Sequence, residues 1–288
     1  MTYLLLVNPT SGGGKGSEFG ERVETFLKKN KVNYRVISGS SYESARSNLQ
    51  SEIGPSVQGV IAVGGDGLVH LVIQEIAHTK LPLILIPAGT GNDFARTLKL
   101  PLNNPESILE RAFASQPIFV DLANVNGEYF AEILSTGFDS VVNERANRMR
   151  KIRGNLKYNL SILFELPIFK PIDYRFSIDG EEFTSQAMLI AIANGPSYGG
   201  GMLVCPQADI NDGQLDIMIL RPVTKFEFLR VFPKVFSGSH INHPAVSIKR
   251  GREVLVSATA VAYADGERIG SLPISAKVEP GALLTWVF

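Results

Sequence analysis

A single cysteine, Cys205, stands among 288 residues, which rules out an intrachain disulfide and any multi-cysteine metal site. Such a lone cysteine is expected to be a small buried hydrophobe. Charge of one sign is also missing: 28 Lys and Arg balance 28 Asp and Glu, so no global field favours nucleic acid and any basic patch must be local. No segment approaches the roughly 18 to 20 uninterrupted apolar residues of a membrane-spanning helix. Met1 to Pro9 has no basic leader, and its apolar run is too short for a signal peptide. The expectation is a cytoplasmic protein, or one that associates peripherally with a membrane without crossing it. Internal repeats and low-complexity stretches are absent.

What is present is an ordinary globular composition, 44% hydrophobic and 19% charged, enough to bury two cores. Residues 1–118 alternate strand and helix patterns. Tyr3–Asn8, Tyr34–Ser38, the run to Val63 and Leu83–Ile86 read as strands, and Ser17–Asn30, Tyr42–Gln50 and Leu68–His78 read as helices. This β-α-β order implies a doubly wound parallel sheet whose crevice lies at the strand C-termini. In residues 119–288 the period falls to two. Asn126-Gly127 and Asp179-Gly180 sit between alternating runs as hairpin turns do, and Phe183–Ala193, Gln214–Leu220, Val254–Ala258, Val261–Ala264, Ile274–Val278 and Leu283–Val287 continue the pattern. The fold class expected is α/β plus all-β, with an antiparallel β-sandwich second domain interrupted by helices at about 138–166 and 225–236.

The first domain is organised around Gly64-Gly65-Asp66-Gly67, which ends an apolar strand and opens a helix. Glycines let the backbone approach an anion at the positive end of the helix, so a polyphosphate is the natural guest. Asp66 adds negative charge there, which a bound cation or an abstracted proton would explain. About twenty residues later Pro87-Ala88-Gly89-Thr90-Gly91-Asn92-Asp93 repeats the device after a second strand, and the two turns form one crevice. The earlier glycine loop, Asn8 to Gly16, lacks the Gly-Lys-Ser/Thr ending of a Walker motif, although Lys15 could reach phosphates. In the second domain Asp209 and Asp212, with a carbonyl near Gln214, offer hard oxygen ligands for Mg²⁺, or else form a plain turn. Asp265-Gly266-Glu267 can equally be a hairpin turn. His240 and His243 read as members of a surface loop rather than as a metal pair.

Taken in order, Asn8-Pro9 with Ser11-Gly12, Gly64-Gly65-Asp66-Gly67, Pro87-Ala88-Gly89-Thr90 with Asn92-Asp93-Phe94-Ala95, Thr136-Gly137-Phe138-Asp139, Asn194-Gly195 with Tyr198-Gly199-Gly200-Gly201-Met202, Asp212-Gly213 with Leu215-Asp216, and Asp265-Gly266-Glu267 span nearly the whole chain. Together they resemble the diacylglycerol kinase catalytic-domain family, especially its bacterial soluble lipid kinases. The resemblance implies an ATP- and Mg²⁺-dependent kinase acting on a lipid hydroxyl at a membrane surface, with no nucleic-acid partner and a homodimer as an open alternative. It implies a nucleotide site of Gly64, Gly65, Asp66, Gly67, Leu68 and His70, with Gly89, Thr90, Asn92 and Asp93 of the second turn. Asn8 and Lys15 of the first loop join it, as does Ser38 after the second strand. It assigns the metal to Asp209, Asp212 and the Gln214 carbonyl. The general base falls on Glu267, with Asp66 as its rival and Asp265 in the same catalytic turn.

Bacterial members usually follow the first turn with Thr and then Asn-Glu, whereas Leu68, His70 and Leu71 stand here; Leu68 with His70 is similar to the sphingoid and ceramide kinase branch. An NAD kinase, which shares the Gly-Gly-Asp-Gly turn, and a silent lipid-binding relative are the competing readings. A further expectation concerns docking. Arg145 to Lys157 holds six basic residues and no acidic one, and Leu160, Ile162, Leu163, Phe164, Leu166, Ile168 and Phe169 follow. A basic stretch that runs into an apolar one suits an interfacial segment.

Overall fold

Val60–Val63 and Leu83–Ile86 are buried throughout, as the inner strands of a parallel sheet covered on both faces must be. They lie in the first of two units of the computed structural model, which describes residues 1–149 and 155–288. Unit 1 is Met1–Leu122 with Pro280–Phe288, and unit 2 is Ala123–Glu279.

Unit 1 alternates β1 (Thr2–Val7), α1 (Lys15–Lys29), β2 (Tyr34–Ile37), α2 (Tyr42–Glu52), β3 (Val57–Gly64), α3 (Asp66–Ile76) and β4 (Leu83–Pro87), followed by α4 (Asp93–Thr97) and α5 (Pro105–Ala114). The strands pair in parallel in the order β2-β1-β3-β4. Phe19, Val23 and Leu27 recur at helical spacing and form the buried face of α1. Because the four strands run the same way, Asn8, Ser38, Gly65 and Ala88 all follow C-terminal ends at one edge of the sheet.

The chain enters unit 2 through β5 (Ile118–Val125). There follow β6 (Glu128–Phe130), β7 (Ile133–Gly137), α6 (Phe138–Arg148), α7 (Asn155–Glu165), β8 (Ile172–Ile178), β9 (Glu181–Ala187), β10 (Leu189–Ala193), β11 (Leu215–Leu220), α8 (Lys225–Val231), β12 (Val246–Gly251), β13 (Glu253–Ser257), β14 (Val261–Ala264), β15 (Glu267–Ser271) and β16 (Ile274–Thr285). An antiparallel sheet in the order β12-β11-β10-β7-β14-β15 packs on a second formed by β5, β6, β8, β9, β13 and the first part of β16. Phe130, Leu134, Tyr174, Phe176, Ile190, Ile217, Val254 and Ile274 fill the space between them, which makes unit 2 the expected β-sandwich. Asn126-Gly127, Asp179-Gly180 and Asp265-Gly266 have φ of 51° and 93°, 49° and 85°, and 49° and 87°, the positive pairs that two-residue hairpins require.

Several expected boundaries move. Phe183–Ala193 is two strands, because the chain changes sheet at Met188, whose N–H donates to Leu220 and whose carbonyl accepts from Phe138. The alternating run that follows Asn126-Gly127 likewise breaks between β6 and β7, which belong to different sheets. Ile274–Val278 and Leu283–Val287 merge into β16. The expected second domain ran on to residue 288, but Pro280–Phe288 return to unit 1: Thr285 pairs with Leu83, and the Thr285 hydroxyl donates to the Leu83 carbonyl at 2.8 Å. The helical interruption at 138–166 is the pair α6 and α7, and residues 150–154, with Arg150, Lys151 and Arg153 of the expected docking segment, lie outside the described residues. Cys205 is buried, and burial pushes its thiol pKa up. His240 is buried as well, with Nε2 on the Val204 carbonyl at 3.0 Å. It is therefore a packed residue, not the surface one expected.

Candidate active site

In unit 1 three glycine turns pack backbone to backbone. A Cβ added at Gly65 would lie 2.9 Å from Gly89 Cα, and one at Gly89 would lie 2.5 Å from Gly65 Cα. At Gly12, with φ +57°, it would lie 2.2 Å from the Ala88 carbonyl oxygen. Only glycine permits these approaches, so the loops after β1, β3 and β4 converge. Gly64 leaves room for Leu68, whose Cδ2 would be 2.7 Å from a Cβ there. Gly65 caps α3, accepting from the N–H groups of Leu68 at 2.9 Å and Val69 at 3.2 Å. The first N–H groups of a helix have no acceptor within it and, with the macrodipole, favour an anion.

The second turn is closed by its own side chain. Asn92 adopts φ 54°, its Oδ1 accepts from the Gly89 N–H at 2.8 Å, and its Nδ2 donates to the Gly89 carbonyl at 2.8 Å. Thr90 is left exposed at the tip, while Asn92 and Asp93 are buried. Asp66 ties the two turns together, its Oδ1 accepting from the Asp93 N–H at 2.8 Å. Asn8, exposed, accepts through Oδ1 from the Thr10 hydroxyl at 3.0 Å. Ser38 is exposed at the end of β2, where its carbonyl accepts from Asn48 Nδ2 at 2.7 Å. Two expected nucleotide ligands are differently employed. The Lys15 ammonium donates to the Leu102 carbonyl and Asn103 Oδ1, both at 2.8 Å, contacts that a phosphate would have to replace. His70 is 1% exposed and Leu71 2% exposed, both in the body of α3; burial of position 71 accounts for an apolar residue there.

In unit 2 the Asp265-Gly266-Glu267 turn divides its labour. The Asp265 carboxylate accepts from the N–H groups of Ala131 at 2.7 Å, Glu132 at 3.0 Å and Ile133 at 3.3 Å. Those N–H groups sit where the chain changes sheet between β6 and β7 and lose ladder partners, so Asp265 supplies the missing acceptors. Glu267 is exposed and makes no side-chain hydrogen bond or ion pair among the described residues. The adjacent Arg268 is held by Glu144 of α6 at 2.7 Å, which also accepts from the Tyr263 hydroxyl at 3.0 Å. Arg268 accordingly keeps the Glu144 carboxyl below the usual range.

Glu132 carried no sequence signal, because it lies outside any glycine turn. It is buried, its Oε2 accepts from the Ser197 N–H at 3.4 Å, and a Cβ at Gly195 would sit 2.3 Å from that oxygen. Gly195 therefore makes room for a carboxylate, and Asn194 Nδ2 closes the loop onto the Ala131 carbonyl at 2.8 Å. Asp139, at the start of α6, is a half-buried carboxylate that accepts from the Ser135 hydroxyl at 2.5 Å, and desolvation raises its pKa.

The proposed metal ligands lie on one stretch before β11. Asp209 Oδ1 accepts from the Asn211 N–H at 3.0 Å, and Asp212 Oδ1 from the Gln214 N–H at 3.0 Å. Arg250 of β12 pairs with Asp212 and lies 3.5 Å from Asp216 Oδ1. The second oxygen of the buried Asp216 has no partner, and burial raises its pKa despite Arg250. Two carboxylates thus share one guanidinium, and the uncompensated charge fits a divalent cation in donor chemistry. Among the described residues no group of three or more His, Cys, Asp or Glu is arranged to hold a metal. A cation here would depend on Asp212, Asp216 and backbone or water oxygens.

Comparison with known proteins places both units. Residues 2–125 match the model of the diacylglycerol kinase catalytic domain, and residues 132–287 match that of the YegS C-terminal NAD kinase beta sandwich-like domain. The chain is 37% identical over 285 residues to a diacylglycerol kinase of Mycobacterium tuberculosis, covering 96% of this chain and 92% of that one. It is 31% identical over 219 residues to a diacylglycerol kinase of Bacillus subtilis, covering 74% and 72%. A crystal structure of a diacylglycerol kinase from Bacillus anthracis shares the fold with a TM-score of 0.78 at 23% identity, over 100% of this chain and 97% of that one.

Proposed function

Because the chain belongs to the diacylglycerol kinase family, we propose that it transfers the γ-phosphoryl group of ATP to the hydroxyl of diacylglycerol or a related lipid, with Mg²⁺, as a cytoplasmic protein working at a membrane surface. The observation that carries this reading is the backbone packing of Gly12, Gly65 and Gly89 against Ala88 and against each other. It brings three glycine turns to the N-terminus of α3, an arrangement that suits a polyphosphate and leaves no room for side chains. When bound, ATP supplies the transferred phosphoryl group and Mg²⁺ offsets the charge that develops on it.

The chain's own residues do the rest. Turn N–H groups near Gly65 and Gly67 would hold phosphate oxygens, the exposed Thr90 hydroxyl offers a further donor, and Asp66 keeps the two turns in register. Glu267, exposed and without a partner among the described residues, takes the proton of the acceptor hydroxyl. A lipid alcohol is too weak an acid to react readily near neutral pH, so a positioned carboxylate base accelerates the transfer. Asp265 positions that turn and is not itself the base, since its oxygens are occupied by three backbone N–H groups. Asp212 and Asp216 are the carboxylates that would hold the cation; Asp209 and the Gln214 carbonyl lie on the same stretch.

Incubation with labelled ATP, Mg²⁺ and separate acceptors tests the reading: diacylglycerol, monoacylglycerol, phosphatidylglycerol, a sphingoid base, ceramide and NAD. Label is expected in phosphatidic acid. Label solely in the NAD product, which the NAD kinase-like description of the second domain makes the natural competitor, would replace the lipid acceptor.

A further inference from the structure

The C-terminal end of α7 and the turn that follows it are apolar on both sides. Ile162, with Leu166 and Phe169 just beyond the helix, joins Phe138 and Phe228 in a small core beside the sandwich, yet Leu163 and Phe164 of the helix and Ile168 of the turn after it are exposed by 65%, 52% and 65%. A helix on a protein surface ordinarily carries charge on its outer face, and an apolar outer face calls for cover. The first turn of α8 continues it. The Lys225 ammonium donates to the Phe169 carbonyl, so the chain after α7 and the start of α8 lie side by side. Phe138 contacts both Phe169, at 5.3 Å between ring centres, and Phe228, at 5.1 Å. On α8 the buried Phe228 points inward, while Phe226 and Leu229, three residues apart and so on one face, are 79% and 55% exposed. Among the described residues of unit 2, Leu255 is the one strongly exposed large hydrophobe of the sandwich strands; the others sit on or beside these helices.

Basic charge is gathered in the same stretches of the sequence. Residues 138–170 and 221–237 hold eleven of the 28 Lys and Arg but four of the 28 Asp and Glu, which leaves the remainder of a neutral chain negative. Arg230 follows Leu229 on the exposed face of α8, and Lys170 and Lys234 are exposed nearby in sequence; none of the three makes an ion pair with a described residue. Arg145 serves another purpose, pairing with Glu165 of α7 and lying 5.6 Å from the Phe164 ring centre, where it holds α6 to α7.

We propose that the outer face of α7 and α8 is a docking surface for an anionic lipid bilayer, with Leu163, Phe164, Ile168, Phe226 and Leu229 entering the acyl boundary and Arg230, Lys170 and Lys234 facing the headgroups. Apolar side chains with a basic margin complement such a surface in both of its layers. The proposal rests on the reading of the acceptor as a membrane lipid and adds how the protein reaches it.

Binding is read without catalysis, by sedimentation with phosphatidylglycerol-rich and with pure phosphatidylcholine vesicles at low and high salt. The wild type is expected to bind the anionic vesicles, more weakly at high salt. Phe226→Ser with Leu229→Ser should weaken that binding about tenfold or more, and Arg230→Gln with Lys234→Gln should remove much of the anionic preference. These positions are exposed, and an unchanged melting temperature certifies each variant. Emission of Phe226→Trp should shift to the blue and be quenched by brominated lipid. Vesicle binding by the double Ser variant equal to that of the wild type, or no quenching at Phe226→Trp, overturns the proposal. So does light scattering that shows a wild-type dimer broken by the same substitutions, which would make the face a contact between copies. Phosphorylation of a short-chain, water-soluble diacylglycerol separates this proposal from the kinase reading: the docking variants should retain it, and its absence in the wild type would overturn the activity and not the surface.

Discussion

The carboxylate of Asp66 accepts the backbone N–H of Asp93 at 2.8 Å, so one side chain joins the turn after β3 to the turn after β4. An amide oxygen can accept the same bond, whereas it cannot carry the charge. Asp66→Asn is therefore expected to keep the melting temperature within a few degrees, and turnover lowered about 100-fold would show that its charge serves the chemistry beyond bridging the turns. Asp66→Ala should lose a further ~1 kcal/mol of stability, read by denaturant unfolding, because the Asp93 N–H loses its partner. Full activity in Asp66→Asn would confine the residue to bridging the turns.

Gly65→Ala and Gly89→Ala test whether that close packing serves the nucleotide. Each methyl would meet the other glycine's Cα, at 2.9 Å and 2.5 Å, so the turns must separate. We expect a loss of about 1–3 kcal/mol in stability, as overpacking costs, together with a rise in KM for ATP at saturating lipid. A KM that stays constant across both variants would place the phosphates elsewhere.

The two acids of the Asp265-Gly266-Glu267 turn should respond in opposite ways. Glu267→Gln breaks no side-chain bond among the described residues and is expected to lower turnover about 100-fold or more with no change in unfolding free energy. Asp265→Asn weakens acceptance from three backbone N–H groups and should cost about 1–3 kcal/mol, seen in the unfolding midpoint before any kinetic effect. Turnover undiminished in Glu267→Gln would transfer the proton-accepting role to Asp66.

The cluster of Asp212, Asp216 and Arg250 makes a prediction in pH. Burial raises the Asp216 carboxyl above its ordinary value, the nearby Asp212 adds to this, and Arg250 opposes it. An acid whose pKa is higher folded than unfolded holds more protons in the folded state between the two values. Its contribution to stability therefore declines as pH rises from the ordinary carboxylate value through the raised one. A cation that compensates the ionised pair should reverse that decline. Mg²⁺ is expected to raise the melting temperature near pH 7.5 and to have little effect near pH 4, where the Asp216 carboxyl takes a proton. Asp216→Asn should abolish the difference. Identical melting curves with and without Mg²⁺ near pH 7.5 would take the cation away from this cluster.

Features that depend on neighbours along the chain were legible before any fold was known. Alternating strands and helices announced the parallel sheet of unit 1, because its crossovers are local. Asn126-Gly127, Asp179-Gly180 and Asp265-Gly266 announced hairpins, because two adjacent residues with positive φ are nearly a signature of that turn. The glycine turns after β3 and β4 were legible for the same reason. Tertiary structure alone decided what depended on partners far away. It split the runs at Ala131 and Met188 between two sheets, since a period of two does not say which sheet a strand joins. It returned Pro280–Phe288 to unit 1 through the pairing of Thr285 with Leu83. It also sorted carboxylates that look alike in sequence: Asp265 is spent on the N–H groups of a strand crossover, Glu132 is buried against Gly195, and Glu267 stays exposed. The chemistry of a carboxylate is set by which donors surround it, and those donors come from residues more than a hundred positions away for Asp265 and more than sixty for Glu132.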